Sequence, residues 1–89
     1  MTSTNRLFLQ ALLMRLDDAI RANDESAADR YCRRVRMIAR QHFDTNPRVS
    51  GAIEQLLSAS GEWLATNVAE RYQVGQQVLE HIERVSQLL

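Results

Sequence analysis

Residues 47–89 read PRVSGAIEQLLSASGEWLATNVAERYQVGQQVLEHIERVSQLL, and how that stretch is divided decides the fold. Asn46 can cap a helix here, with Pro47 at the first helical position, where its missing N–H is no loss. No proline follows to the last residue. Val49, Ile53, Leu56 and Leu57 begin an apolar stripe, Ser60-Gly61 interrupts it, and Leu64, Val68, Tyr72, Gly75, Leu79, Ile82 and Leu89 continue it. Through positions 57, 61, 64, 68, 75, 82 and 89 the spacing is close to heptad, with Gly61 and Gly75 in the seam. Two structures fit. One is a single helix, roughly 64 Å long at about 1.5 Å per residue. The other is a pair of helices broken near 58–61, which completes a four-helix bundle. A glycine inside a helix costs about 1 kcal/mol relative to alanine, and packing can outweigh that. The expectation is therefore a long or kinked helix over 47–89, with Gly75 marking a close approach by another helix.

Working back toward the N-terminus, Asp44-Thr45-Asn46-Pro47 is the clearest punctuation in the chain. Before it, Asn23-Asp24-Glu25-Ser26 starts a second helix over about 25–43, with a capping side chain and acids in the first turn. Ala28, Tyr31, Cys32, Val35, Ile38, Ala39 and His42 share its core face. Arg30, Arg33, Arg36, Met37 and Arg40 share the other, with Arg34 at the margin. Asp29 and Arg33 are spaced for a favourable ion pair, while Arg36 and Arg40 repel. A first helix over about 5–22, capped by Thr4 or Asn5, carries a core stripe of Leu9, Leu12, Leu13, Leu16 and Ile20. Leu7, Ala11 and Met14 lie opposite that stripe, and Phe8 lies between. A helix apolar on two sides needs two partners, and in so short a chain the second can be another chain.

Composition agrees with one all-α domain. The 89 residues hold three glycines and one proline, too few turn formers for an all-β fold. The chain is 45% hydrophobic and 25% charged, as ordinary folded domains are. Eleven cations balance eleven acids, so no global field draws in nucleic acid or an anionic membrane. Every cation is Arg, which reads as codon bias of a GC-rich bacterial genome or as selection for bidentate contacts. Cys32 stands alone, so no intrachain disulfide forms, as suits a reducing compartment. The apolar run Leu7 to Met14 is too short to span a bilayer, and no small-residue cleavage site follows it. The expected location is the cytoplasm, with no membrane contact.

Catalytic and metal patterns are sparse. His42 and His81 have no second His or Cys at the spacing that a metal site needs. Cys32 reads as a small buried hydrophobe; the rival reading is a thiol with lowered pKa beside Arg33 and Arg36. Asp17-Asp18 are adjacent on a helix and do not converge. No phosphate-cradling loop or nucleophile elbow occurs. The chain is expected not to be an enzyme, and to use no cofactor or metal. Trp63 reads as a core-edge aromatic or as an interface anchor, since Trp, Tyr and Arg dominate binding hot spots.

The stretches FLQALLMRLDDAIRAND (8–24), ESAADRYCRRVRMIARQ (25–41) and AIEQLLSASGEWLATNVAERYQVGQQVLEHIERVSQLL (52–89) together resemble the small all-helical chaperones of flagellar and type III export. That resemblance rests on helix order and periodicity. It implies a helical hairpin or bundle holding a partner segment in a groove. Asp24-Glu25-Ser26 stands where that family usually has an aromatic. Small helical anti-activators of bacterial transcription factors fit the same pattern. The functional expectation is a protein-binding adaptor, chaperone or regulator that forms a homodimer. Its candidate contacts are Arg30, Arg33, Arg36, Arg40, Trp63, Leu7 and Met14. The alternative is a nucleic-acid-binding regulator that uses the Arg-rich second helix.

Overall fold

A computed structural model describes residues 2–89, with side chains from Thr4 onward. Among these residues there are four α-helices, α1 (Thr2–Arg21), α2 (Glu25–His42), α3 (Pro47–Ala65) and α4 (Arg71–Leu88), and no strand. A 3₁₀ turn, Val68–Glu70, leads into α4. The helices pack in a ring in chain order, with α1 closing against α4, in a body 42 × 19 × 18 Å across. The all-α bundle expected from the sequence is the fold.

Helix periodicity builds the core. Leu9, Leu12, Leu13, Leu16 and Ile20 of α1 are buried. Ala28, Cys32, Val35 and Ala39 of α2 meet them, with Val49, Ile53, Leu56 and Trp63 of α3 and Val78, Ile82 and Val85 of α4. Each set recurs at three- or four-residue steps, which keeps one face of each helix inward. Burying one such large side chain stabilises by about 2 kcal/mol.

The turn between α1 and α2 is locally encoded. Asn23 takes a left-handed conformation with φ of 55°. Its N–H donates to the Ile20 carbonyl and that of Asp24 to Ala19, closing α1 in a Schellman pattern. Asp24 then opens α2, its carboxylate accepting from the Ala27 N–H at 3.0 Å. Asn46 does the same for α3, accepting from the Val49 N–H at 3.3 Å ahead of Pro47.

Several expectations about the helices are corrected. Residues 47–89 form two antiparallel helices, and the break falls at 66–70 instead of 58–61. Ser60 and Gly61 sit inside α3: the Ser60 hydroxyl donates to the Leu56 carbonyl at 2.9 Å, and Gly61 is exposed. The buried row of α3 runs Leu56, Ser60, Trp63, one residue earlier than the expected seam, because Trp63 takes the core position and leaves Leu64 half-buried. Val68 and Tyr72 are consequently exposed, not part of a stripe. On α2, His42 is exposed too, because it is the terminal helical residue at the end of the core row. At the other terminus, α1 begins at Thr2, so Thr4 and Asn5 are helical residues and not caps.

The break itself is made by weak helix formers and by the arginine that opens the next helix. Thr66 and Asn67 adopt extended backbone, with ψ of 145° and 140°. Thr, Asn and Val have poor helix propensity, so Thr66-Asn67-Val68 yields at small cost. The Thr66 hydroxyl donates to the Glu62 carbonyl at 2.7 Å. Arg71, buried at the start of α4, turns its guanidinium back onto the end of α3. Its Nε donates to the Trp63 and Thr66 carbonyls, both at 2.9 Å, and its Nη2 to the Leu64 carbonyl at 3.2 Å. A cation at a helix C-terminus satisfies orphan carbonyls and opposes the helix dipole.

Candidate partner-binding surface

The outer side of α1 keeps its second apolar face uncovered. Leu7 is 65% exposed, Phe8 56% and Met14 69%. Leu7, Ala11 and Met14 form a ridge pointing away from the bundle, as their wheel positions opposite Leu9 require. Phe8 projects toward α2, where Met37 is also largely exposed.

Between α1 and α2 this apolar surface deepens into two shallow adjoining hollows of about 390 and 270 Å³. Phe8 and Arg34 line both. Met37, Ile38 and His42 complete the larger hollow, and Ala11, Arg15 and Tyr31 the smaller. Among the described residues no carboxylate lines either one. Arg30 and Arg34 hold their guanidinium carbons 5.4 and 6.0 Å from the Tyr31 ring centre, a cation–π arrangement that spreads both charges beside the groove.

The arginines of α2 do not form one surface. Arg33 pairs with Asp29 at 3.1 Å, as its spacing led us to expect. Arg36 and Arg40 face the α3 side, lining a hollow that also contains Asp44 and Glu54. Arg30 and Arg34 face α1. The α1–α4 side has the opposite character, with Asp18, Glu80 and Glu83 around Met14 and Leu79. The zero net charge therefore hides a segregation, basic on one side of α1 and acidic on the other, with apolar side chains on both.

Of the residues singled out in the sequence, Leu7 and Met14 are on the surface together, and Arg30, Arg33, Arg36 and Arg40 are exposed but divided between two sides. Trp63 is only 2% exposed, so it is a core residue and cannot be an interface anchor. It packs where Gly75 has no side chain: a Cβ there would meet its ring Nε1 at 3.4 Å. Its face also lies 4.5 Å from the Arg71 guanidinium carbon. Sequence reading placed Met37 on the face opposite the core but named neither it nor Phe8 nor Arg34 as a candidate contact. The helical wheel held the signal, since Phe8 and Arg34 both fell between the faces it assigned.

Cys32 is buried, and burial, the main effect, pushes its thiol above its ordinary pKa. The neighbouring Ser60 hydroxyl opposes that shift, and the net direction disfavours a reactive thiolate. Among the described residues no group of His, Cys, Asp and Glu is gathered to hold a metal ion, and no helix is long and apolar enough to cross a membrane. Comparison of the chain with protein-family models, with curated proteins and with solved structures finds no match.

Proposed function

We propose that this chain is a non-enzymatic protein-binding module, a small cytoplasmic adaptor, chaperone or regulator that works through the outer faces of α1 and α2. The observation that carries the reading is the set of large apolar side chains left in solvent on the outer faces of α1 and α2 in a domain whose core is already filled. Leu7, Phe8, Met14 and Met37 are each more than half exposed, and Phe8 and Met37 lie beside Arg34, which has no carboxylate within ion-pair distance among the described residues. Exposed apolar surface next to Arg is the composition of a binding patch. The ridge Leu7-Ala11-Met14 suits a second copy of the chain, and the groove beside it a different protein. Carriage of an export substrate and inhibition of a transcription factor are both special cases of this reading.

The test is chemical crosslinking in the native cell followed by mass spectrometry. A distinct heteromeric partner should crosslink to α1 and α2 and be lost with Phe8→Ser plus Arg34→Glu. Crosslinks confined to α3 and α4 would refute the assignment of the surface.

One observation favours nucleic acid as a second reading. Of the five arginines in α2, Arg33 alone has a carboxylate within ion-pair distance among the described residues. Against it, apolar side chains interleave Arg30 and Arg34, and Asp44 and Glu54 share the hollow with Arg36 and Arg40. Duplex DNA should therefore bind weakly at physiological salt, and a salt series measures this directly. Tight, sequence-dependent binding at that salt would make nucleic acid the function.

A further inference from the structure

We infer that the α1–α2 groove accepts an acidic amphipathic helix, with apolar anchors on Phe8, Met37 and Ile38 and carboxylates on Arg15, Arg30 and Arg34. The inference rests on the protein-binding reading and narrows it to one groove and one partner chemistry.

Shape comes first. The two hollows share Phe8 and Arg34, so they form one continuous trough along the seam of two antiparallel helices. It runs from Asn5 to Arg15 on α1 and from Tyr31 to His42 on α2. At about 1.5 Å per residue, either wall is roughly 16 Å long, which matches about three turns of a bound helix. Seams of this kind take helices whose anchors recur at three- and four-residue steps.

Charge sets the partner. The trough is apolar at its Phe8–Met37–Ile38 end and more polar toward Arg15 and Tyr31, Arg15 and Arg34 line it, and no carboxylate does so among the described residues. Arg15 enters from α1 and Arg34 from α2, while Arg30 is held beside them on Tyr31. Two guanidiniums in the wall and a third beside Tyr31 repel a basic segment and offer bidentate sites to Asp or Glu. The opposite end, near Gln41 and His42, has no such cluster. The carboxylates of the occupant should accordingly sit near one end of its helix. Phosphate backbones would use the arginines but would leave Phe8 and Met37 unmatched.

The experiment is selection of a phage-displayed library of random 16-residue peptides against the immobilised full chain. Synthetic copies of the winners are then measured by fluorescence anisotropy. Enriched sequences should carry apolar residues at i, i+3 or i+4, and i+7, with Asp or Glu in excess near one end. Phe8→Ser and Arg34→Glu should each weaken binding about tenfold or more, as loss of an interface anchor does. Thermal melts should be unchanged, because both side chains are exposed. Winners without an acidic excess overturn the partner chemistry. Winners that ignore both variants but are lost with Arg36→Glu and Arg40→Glu overturn the groove and leave the protein-binding reading standing. An empty selection with tight DNA binding overturns both. A wild-type dimer in sedimentation that Phe8→Ser dissociates would make the groove a self-interface and overturn the inference.

Discussion

The turn between α1 and α2 and the turn between α3 and α4 lie against each other at one end of the bundle, yet they are held in different ways. The first uses only its own residues: Asn23 in a left-handed conformation, then Asp24 capping the next helix. The second has no glycine, no proline and no side-chain cap on the helix it opens. It is held instead by Arg71, whose guanidinium reaches the end of α3 and also the first turn, donating to Asn23 Oδ1 at 3.0 Å and to Glu25 at 2.9 Å. One residue thus ties the two hairpins together. A turn that closes on local chemistry can be read from four consecutive residues. A turn closed by a side chain folded back over five to eight residues, and tied to another turn 46 and 48 positions away, cannot.

Arg71→Ala tests that difference with the largest effect. It leaves the carbonyls of Leu64 and Thr66 without the Arg71 donor, takes one of two donors from that of Trp63, and removes the cation packed on Trp63. A loss of about 3 kcal/mol is expected in urea denaturation, from several charge-assisted hydrogen bonds and the packing on Trp63 lost at once. Arg71→Lys should restore less than half of it, because a single ammonium cannot span acceptors on both hairpins. A loss under about 0.5 kcal/mol, the ordinary surface value, would mean that the second turn holds without Arg71.

Asp24→Ala probes the first turn and should cost about 1 kcal/mol, the usual value of an N-cap. Gly61→Ala has a similar magnitude and the opposite sign. Nothing lies within 4 Å of the Cβ it would introduce, and the residue is inside α3. A gain of about 1 kcal/mol follows, and a melting temperature higher by about 4–8 °C in a domain of this size. If Gly61→Ala destabilises instead, α3 is bent at 61 and the break expected there was partly correct.

The same contrast explains what the sequence could reveal. Helix class, the boundaries at 25 and 47, the α1 core stripe and the Asp29–Arg33 pair follow from spacing and capping, which are local. The position of the α3–α4 break does not. Leu57, Leu64 and Ile82 keep near-heptad spacing across it, so the pattern resembled one helix, while the true stop consists of weakly helical Thr66-Asn67-Val68 and the Arg71 guanidinium folded back onto the end of α3. Trp63 was ambiguous for a related reason: only the space at Gly75, on another helix, lets so large a ring be buried. At the candidate site, the exposure of Leu7 and Met14 was legible from their position opposite Leu9. The groove was not, because Phe8 and Arg34 belong to separate helices, and only packing brings them together.

The contact between the two turns should also be visible in acid. The Arg71 guanidinium, through its hydrogen bond and its charge, holds the Glu25 carboxyl below its ordinary value of 4.5. A carboxyl with a depressed pKa in the folded state stabilises fully above the unfolded value. That contribution disappears as the pH falls through the lower, folded value. Urea midpoints measured from pH 7 to pH 3 should therefore drop more steeply for the wild type than for Glu25→Gln, with the two curves converging at the acid end. Parallel curves would show that the ion pair contributes nothing to the latch. The effect is small, because Glu25 is more than half exposed and water screens it.

The smallest effect on stability is expected where the hairpins differ most in function. The α3–α4 pair encloses its largest side chain, Trp63, whereas the α1–α2 pair leaves Leu7 and Met14 in water. If that ridge is held for a partner, Leu7→Glu with Met14→Glu should change the folding free energy by no more than about 0.5 kcal/mol, as exposed sites do. The same variant should abolish any homodimer that analytical ultracentrifugation detects for the wild type at micromolar concentration. A mass of 10.2 kDa for the wild type itself would remove the second copy as the ridge's occupant. Unfolding by the double substitution would have a different meaning: the ridge would then contribute to the fold, and the distinction between a filled hairpin and an unfilled one would fail.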